Sequence, residues 1–165
     1  MNLSVRIESL NASHDRKTFA CGVSARDDYL ATRASQDIKR RIGNCFVAVT
    51  DDNQIAGYYT LAATSIPLID IADTDAKKLP RYPVIPAALI GRLAIDQRFK
   101  GMRLGGALII DAAKRAATSD AAIFAIIVEA KGETAKAFYE HLGFVCFRSK
   151  PMSLYLPPAT LLSVT

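Results

Sequence analysis

The apolar positions of this chain change their spacing from one segment to the next. Residues 3–8 (LSVRIE) alternate between apolar and polar side chains, as a half-buried strand does. Residues 24–41 carry apolar side chains at helical spacing, begin with a capping serine and acidic first-turn residues, and end in three basic residues before Gly43. That order of charges suits the helix dipole. The pattern therefore predicts a first strand followed by a helix.

The rest of the chain alternates between strand-like and helix-like segments. Residues 44–50 and 54–63 predict a hairpin around the turn at 51–53. Residues 66–86 hold four of the seven prolines, which predicts a loop with one short helix around 74–79. The further predicted strands are 87–96, 121–129, 144–147 and 153–156, and the further helices are 104–117 and 133–142. This order indicates an α/β or α+β fold with a mixed sheet, in which the apolar run 121–129 is a buried parallel strand.

Length and composition narrow the class of protein. A chain of 165 residues, half of them hydrophobic, fits one domain over residues 1–165 with a sizeable core. No run approaches the roughly 18 consecutive apolar residues that a membrane span needs. The N-terminal residues also lack the uninterrupted apolar stretch of a secretory signal. We expect a soluble, cytoplasmic protein with no membrane association.

Neither disulfides nor a metal site are indicated. Cys21, Cys45 and Cys146 lie far apart, without the spacing of a metal cluster or of a disulfide framework. Cys45 and Cys146 have apolar neighbours and are expected to fill the core. His14 and His141 have no acidic or cysteine partner at ligand spacing, so we expect no metal.

The charge distribution points to a polyanionic partner. Lys and Arg number 21 against 16 acidic residues, a formal net charge of +5 with a pI near 9.2. Between residues 76 and 115 nine residues are basic and only Asp96 and Asp111 are acidic. Such an excess favours a phosphate-bearing cofactor, a nucleic acid, or both, over a surface that is merely basic.

One segment inside this basic window has the composition of a phosphate-binding loop. Residues 95–107 join a predicted strand to a predicted helix, carry glycines, and are basic. The unpaired N–H groups and the dipole of a helix N-terminus suit phosphate oxygens. The segment matches neither the dinucleotide-binding G-x-G-x-x-G nor the G-K-[ST] of a P-loop. A basic turn with glycines for packing is the alternative.

The residues around this loop resemble a known family. The segment GRLAIDQRFKGMRLGGALIIDAAKRA, followed later by KAFYEHLGF, resembles the acyl-CoA-dependent acetyltransferases of the GNAT superfamily. In that family a Q/R-x-x-G-x-G/A loop wraps the CoA pyrophosphate, and helices flank a mixed, mostly antiparallel sheet with a splayed central strand. The loop positions here are 100–105, with Lys100 in place of Gln or Arg and Arg103 in place of the first glycine. Arg103 must therefore either adopt a backbone that suits a side chain or carry strain.

The resemblance extends over most of the chain to the GNAT toxins of bacterial type II toxin–antitoxin systems. It rests also on FACGVSARDDYLATRASQDIKRRIGNCFVAV, IAGYYTLAATSIPL and the ending FYEHLGFVCF with PMSLYLP. It implies an acetyl-CoA-dependent N-acetyltransferase that acetylates the α-amine of aminoacyl-tRNA and blocks translation. The implied partners are a ribbon-helix-helix antitoxin, a second copy in a homodimer, and operator DNA only through the antitoxin complex.

The resemblance also implies roles for individual residues. The hydroxyl of Tyr139 would donate a proton to the sulfur of CoA, since a phenol with a reference pKa of about 10 is protonated at neutral pH. Backbone N–H groups near residues 93–95 would polarise the thioester carbonyl. The family often has an asparagine that contacts the cofactor at the position where this chain has Gly132. Phe138 is placed at the cofactor, although its helix position favours packing inward against Ala135 and Leu142. The candidate cofactor-binding residues are Leu93, Ala94, Ile95, Arg98, Lys100, Gly101, Met102, Arg103, Leu104, Gly105, Gly106 and Phe138.

The sequence also offers candidate contacts to nucleic acid, but it does not single out a general base. The proposed phosphate contacts are Lys77, Lys78, Arg81 and Arg92, with Tyr82 beside them, and residues 39–41 either join them or neutralise a helix end. No residue stands out as a general base, because Glu129 and Asp96 suit structural roles as well. An α-amine has a reference pKa of about 7.7–8.0, against about 10.4 for the lysine side chain. More of it is therefore neutral at pH 7, so an α-amine has the least need of a general base. Acetylation of a small amine or a protein N-terminus, and a silent acyl-CoA- or RNA-binding module, stay open as alternatives.

Overall fold

The computed structural model describes residues 3–162, which form seven strands and six α-helices. The strands are β1 (Val5–Ser9), β2 (Asn44–Thr50), β3 (Ile55–Pro67), β4 (Val84–Ile95), β5 (Ala125–Glu129), β6 (Val145–Cys146) and β7 (Ser153–Leu156). The helices are α1 (Ser24–Thr32), α2 (Ala34–Lys39), α3 (Asp73–Ala76), α4 (Leu104–Ala117), α5 (Glu133–His141) and α6 (Pro158–Leu162). Short 3-10 turns at Leu68–Asp70 and Gln97–Phe99 precede α3 and α4.

All seven strands belong to one mixed sheet in the order β1-β2-β3-β4-β5-β7-β6. The β1–β2, β2–β3, β5–β7 and β6–β7 pairs are antiparallel, whereas β4 and β5 run parallel. The predicted hairpin at the β2–β3 turn and the predicted parallel strand are therefore confirmed. The register of β4 with β5 ends at Ile90 opposite Val128, and β4 continues to Ile95. The mixed, mostly antiparallel sheet expected from the resemblance is present.

By packing, the chain divides into two compact units. The first comprises residues up to Ala62 with residues 91–111, and the second comprises residues 63–90 with those from Ala112 onward. Strands β3 and β4 and helix α4 contribute residues to both. Each unit has its own apolar cluster.

The first unit has its core where α1 and α2 pack. Leu30 and Ala34, one on each helix, are fully buried against residues of β2 and β3 such as Val47 and Tyr58. Burial in this cluster raises the pKa of the Cys45 thiol to about 12, so the expected role of this cysteine as core filler is confirmed.

The second unit is built around Tyr155 of β7. Its ring is fully buried, its hydroxyl accepts a hydrogen bond from the N–H of Ala72 at 3.0 Å and donates one to Asp75 at 2.7 Å. Burial first, and then the Asp75 carboxylate, raise the pKa of this phenol to about 12. This side chain therefore ties the segment before β4 to the sheet.

The structure corrects several predicted boundaries. The single helix predicted over 24–41 is broken at Arg33 (φ −119°) into α1 and α2, and Val23, not a serine, is the N-cap of α1. The hydroxyl of Thr32 donates to the carbonyl of Asp28, a back-bond that typically bends helices. The strand predicted from residue 121 begins only at Ala125, where pairing with β4 starts.

Two further differences concern the C-terminal half and the proline-rich segment. The predicted loop 66–86 is shorter, because β3 extends to Pro67 and β4 begins at Val84. Helix α6 was not predicted. Cys146 is only half-buried, with its Sγ 3.9 Å from the Glu140 carboxylate, so its expected place in the core is wrong. Across residues 3–162 no helix is long and apolar enough to cross a membrane.

Candidate active site

The end of β4 leads directly into the candidate phosphate loop. Ala94 is buried, while Leu93 and Ile95 are half-buried. The N–H of Asp96 donates to the carbonyl of Ala56 at 2.9 Å, so β4 stays bound to β3 up to its last residue. A Cβ atom at Gly57 would lie 3.0 Å from the carbonyl oxygen of Ala94. Glycine at this position therefore relieves a tight contact between the two strands.

Asp96 fixes the start of the loop. Its side chain is 1% exposed and caps the 3-10 turn by accepting the N–H of Arg98 at 2.9 Å. It also accepts the N–H of Ala20 at 3.0 Å and the guanidinium of Arg98 at 2.9 and 3.2 Å. Burial would raise the pKa of this carboxyl, but the bonds from Arg98 and Ala20 outweigh burial and lower it. The capping interpretation of Asp96 is thereby supported over that of a general base, whose carboxylate would have to be accessible.

A segment distant in the chain braces the same loop. The ammonium of Lys100 donates to the carbonyl of Cys21 at 3.0 Å, and the N–H of Gln97 donates to the carbonyl of Ala20 at 2.9 Å. Lys100 has three donors, so this bond leaves two for another acceptor. No local sequence pattern marks residues 20–22 as part of this site, because more than 70 positions separate them from the loop.

The loop turns through two left-handed residues. Gly101 has φ +81° and Arg103 has φ +60°. Arg103 thus adopts the conformation that the glycine of the family motif would, and an L residue there carries strain of about 1–2 kcal/mol. Its side chain is exposed. Of the two possibilities for an arginine in place of the motif glycine, the backbone of Arg103 is therefore the strained one.

Helix α4 begins immediately after this turn. Its 14 residues have no acidic side chain in the first turn, and Leu104, Gly105 and Gly106 supply its first backbone N–H groups. A Cβ atom at Gly106 would meet nothing within 4 Å. A left-handed turn, basic side chains and free N–H groups at the start of a long helix fit a diphosphate.

The candidate proton donor lies near the end of α5. Tyr139 is half-buried, and its ring centre lies 5.4 Å from that of Phe138 and 5.5 Å from that of Phe144. The N–H of Phe144 donates to the carbonyl of Tyr139 at 3.1 Å, which fixes the helix end. Phe138 is 39% exposed, so the expectation that it packs inward is wrong. Its ring remains available to a ligand.

The candidate nucleic-acid contacts lie on two different elements. Lys77, Lys78 and Arg81 are exposed in the segment between α3 and β4. Arg92 is half-buried on β4, where its guanidinium lies 3.6 Å from the ring centre of Tyr29. The two acids of the basic window are both engaged, Asp96 as described and Asp111 by the hydroxyl of Tyr59 at 2.6 Å. The charge that this window presents to solvent is therefore mostly positive.

Comparison with known proteins identifies the family. Residues 22–153 match the acetyltransferase (GNAT) domain, and the chain belongs to that family of acetyltransferases. It is 32% identical to a tRNA-acetylating toxin of Mycobacterium tuberculosis, over 89% of this chain and 88% of that protein. It is 30% identical to the probable toxin TacT of Sinorhizobium fredii, over 96% of this chain and 93% of that protein.

Solved structures of toxins share the fold. The chain matches AtaT complexed with acetyl-methionyl-tRNAfMet at a TM-score of 0.88, with 28% identity over 98% of this chain and 99% of that one. A mutant AtaT bound to the C-terminus of the antitoxin AtaR and acetyl-CoA matches at 0.78, with 26% identity over 97% of both chains. The KacTA–DNA complex matches at 0.78, with 27% identity over 98% of both chains.

Proposed function

We propose that the protein is a toxin that transfers the acetyl group of acetyl-CoA to the α-amine of aminoacyl-tRNA and thereby blocks translation. The observation that carries the proposal is the match to tRNA-bound AtaT over 98% of the chain. The tRNA-acetylating toxin of M. tuberculosis supports the same substrate. An acetylated α-amine can no longer form a peptide bond, which is why such a product stops elongation.

The left-handed turn at Gly101 and Arg103 and the start of α4 hold the diphosphate of the cosubstrate. Backbone N–H groups bind phosphate oxygens there, and the free donors of Lys100 and the exposed guanidinium of Arg103 neutralise the charge. Arg98 stays paired with Asp96 and acts mainly by holding the loop. The proposed binding set is Leu93, Ala94, Ile95, Arg98, Lys100, Gly101, Met102, Arg103, Leu104, Gly105, Gly106 and Phe138.

Acetyl-CoA supplies an activated thioester, and the protein supplies orientation and one proton. The α-amine attacks the carbonyl carbon, the C–N bond forms, and the C–S bond breaks. The hydroxyl of Tyr139 gives its proton to the departing sulfur, the proton that the nitrogen loses goes to solvent, and the phenolate of Tyr139 is reprotonated from solvent. An α-amine with a pKa of about 7.7–8.0 is partly neutral at pH 7, so a dedicated base is not required. This agrees with an Asp96 carboxylate that is already saturated with hydrogen bonds.

The basic residues bind the substrate's phosphates. Lys77, Lys78 and Arg81 are exposed. The guanidinium of Arg92 stacks on the ring of Tyr29 and is half-buried there. Each phosphate contact releases counterions, so binding should weaken as salt rises.

The remaining partners follow from the same toxins. We propose a homodimer, neutralised by a ribbon-helix-helix antitoxin, with operator DNA bound only through the antitoxin complex. The antitoxin-bound AtaT and the KacTA–DNA complex support an antitoxin partner and binding of DNA by the toxin–antitoxin complex. We also propose that residues 1–165 act as one catalytic domain in the cytoplasm, where charged tRNA is found, since the family match spans parts of both compact units.

The deciding experiment follows label from [¹⁴C]acetyl-CoA into a pool of charged total tRNA. Wild type should label aminoacyl-tRNA, and Tyr139→Phe should lose most of the rate while still binding acetyl-CoA. Tyr82→Phe is the matched control, because it removes a hydroxyl from an exposed tyrosine and should leave the rate unchanged. Absence of label on charged tRNA, despite acetyl-CoA binding, would refute the toxin proposal. Label on a small amine or a peptide N-terminus instead would identify the alternative substrate.

A further inference from the structure

A cavity of about 450 Å³ lies in the second unit, at the segment between β3 and β4. Its apolar wall comes from Leu68, Ile69, Ile71 and Ala76, and its charged lining comes from Asp73, Arg81 and Arg148. The mechanism proposed above uses none of these except Arg81. A cavity of this size is large enough for one nucleotide.

The acidic residues of this segment are all engaged. Asp73 pairs with the guanidinium of Arg148 at 2.6 Å, and Asp75 accepts the hydroxyl of Tyr155 at 2.7 Å. Asp70 is buried and accepts the N–H and the hydroxyl of Ser149 at 2.9 and 2.6 Å. These carboxylates hold the segment in place and leave little negative charge to oppose a ligand.

The basic residues of the same segment are not engaged. Within residues 3–162 the side chains of Lys77, Lys78 and Arg81 form no hydrogen bond or ion pair, and all three residues are exposed. Arg81 lines the cavity itself. The segment therefore offers an unneutralised guanidinium at a cavity with one apolar wall, with two further cations close by in the chain. That combination suits a phosphate attached to an apolar, planar group.

Apolar surface is exposed next to these charges. Tyr82 is 63% exposed and Ile69 is 78% exposed. The N–H of Leu68 donates to the carbonyl of Pro83 at 3.1 Å, which brings the chain around residue 69 beside the chain around residue 82. An exposed aromatic ring among lysines and arginines is the arrangement on which unpaired bases stack.

We propose that this cavity and Tyr82 bind an unpaired nucleotide of the tRNA substrate, with its base on the Tyr82 ring and the aliphatic wall and its phosphate on Arg81. The inference rests on the proposed function, because charged tRNA carries an unpaired 3′ end. An acidic peptide shares the charge but not the flat shape that an exposed tyrosine ring recognises, so a nucleotide fits better. Lys77 and Lys78 then bind neighbouring phosphates.

The test measures binding of a short single-stranded RNA oligonucleotide by fluorescence anisotropy. Tyr82→Ala should weaken binding about 5- to 150-fold, the range expected for loss of one base–aromatic stack, whereas Tyr82→Phe should bind as wild type does. Arg81→Gln should also weaken binding and lower the slope of log K against log salt by about 0.7. Lys17→Gln, an exposed charge change on the first unit, is the control and should change neither.

Substrate kinetics separate this inference from the proposed function. Tyr82→Ala should raise KM for charged tRNA and leave kcat and KM for acetyl-CoA unchanged. If wild type acetylates charged tRNA but Tyr82→Ala binds the oligonucleotide normally, the nucleotide site is wrong and the proposed function stands. If wild type binds the oligonucleotide through Tyr82 but acetylates no charged tRNA, the proposed function fails alone. Tyr82-dependent binding of an acidic peptide without RNA binding would assign the cavity to a protein partner instead.

Discussion

The guanidinium of Arg92 lies 3.6 Å from the ring centre of Tyr29, whose hydroxyl donates to Asp37 at 2.7 Å. Arg92 is on β4 and Tyr29 is on α1, so the pair links the sheet to the helices of the first unit. Burial and the neighbouring Asp37 raise the pKa of the Tyr29 phenol, which therefore stays neutral at physiological pH. A candidate phosphate contact thus also has a packing role.

We predict that this pair contributes a measurable coupling energy. In a double-mutant cycle of Arg92→Ala with Tyr29→Leu, urea unfolding should give a coupling of about 0.5–2 kcal/mol, the range for a partly desolvated cation–π contact. The same cycle with Tyr29→Phe is the control, because phenylalanine keeps a ring and should retain most of the coupling. Additive effects in the first cycle would show that the stacking contributes nothing.

Arg92 should also affect tRNA binding if its guanidinium reaches a phosphate. Arg92→Ala is then expected to lower the slope of log K against log salt by about 1 for tRNA. Arg33→Ala is the control, because Arg33 is an exposed arginine outside the proposed tRNA-binding residues, and it should leave that slope unaltered. An unchanged slope in Arg92→Ala would restrict this residue to its packing role.

Asp96→Asn should destabilise the protein most at neutral pH. The asparagine amide turns one acceptor into a donor facing the N–H groups of Ala20 and Arg98, at an expected cost of about 1–3 kcal/mol. Because folding lowers the pKa of Asp96, its stabilising contribution is full above the ordinary carboxyl pKa and is lost as pH falls through the lower folded value. Wild type and Asp96→Asn should therefore differ in unfolding free energy by a constant amount above about pH 5 and converge in acid. A difference that does not shrink in acid would contradict this.

Arg103→Gly should separate strain from binding. Glycine relieves the left-handed strain but gains unfolded-state freedom, so stability should rise by no more than about 1 kcal/mol. Loss of the guanidinium should raise KM for acetyl-CoA by about 10- to 100-fold, the equivalent of one charged hydrogen bond. Arg41→Gly is the matched control, since Arg41 also has φ +59° but lies at the end of α2. A normal KM in Arg103→Gly would remove this side chain from the cosubstrate site.

Local patterns in the sequence predicted the parts of the fold that local physics decides. The limits of β2, α4 and β7 agree with the predicted ranges, because local signals lie beside them: Gly43 precedes β2, glycines lie at the start of α4, and Pro157 follows β7. The break at Arg33 was missed, since no glycine or proline marks it and the packing of Leu30 and Ala34 decides it. Long-range pairing likewise set the start of β5 at Ala125.

In the candidate site, too, local sequence marks some features and long-range contacts decide others. The left-handed loop before α4 was predictable, because glycines and a helix start mark it within a few residues. The brace from Ala20 and Cys21, and the stacking of Arg92 on Tyr29, join residues more than 60 positions apart. No spacing in the sequence encodes such contacts, so only the folded chain reveals them.

Two glycines near the loop should respond oppositely to the same substitution. Gly57→Ala should destabilise the protein, because its Cβ would lie 3.0 Å from the backbone carbonyl oxygen of Ala94 and 3.2 Å from the Leu104 side chain, and this strand backbone would have to give by a few tenths of an ångström. Gly106→Ala has open space in a helix and should be neutral or stabilising by up to about 1 kcal/mol. If the diphosphate approaches the start of α4, Gly106→Ala should nevertheless raise KM for acetyl-CoA while kcat with saturating cosubstrate changes little. Thermal unfolding and steady-state kinetics on both variants check this. A stable Gly106→Ala with an unchanged KM would show that the cosubstrate does not contact the backbone there.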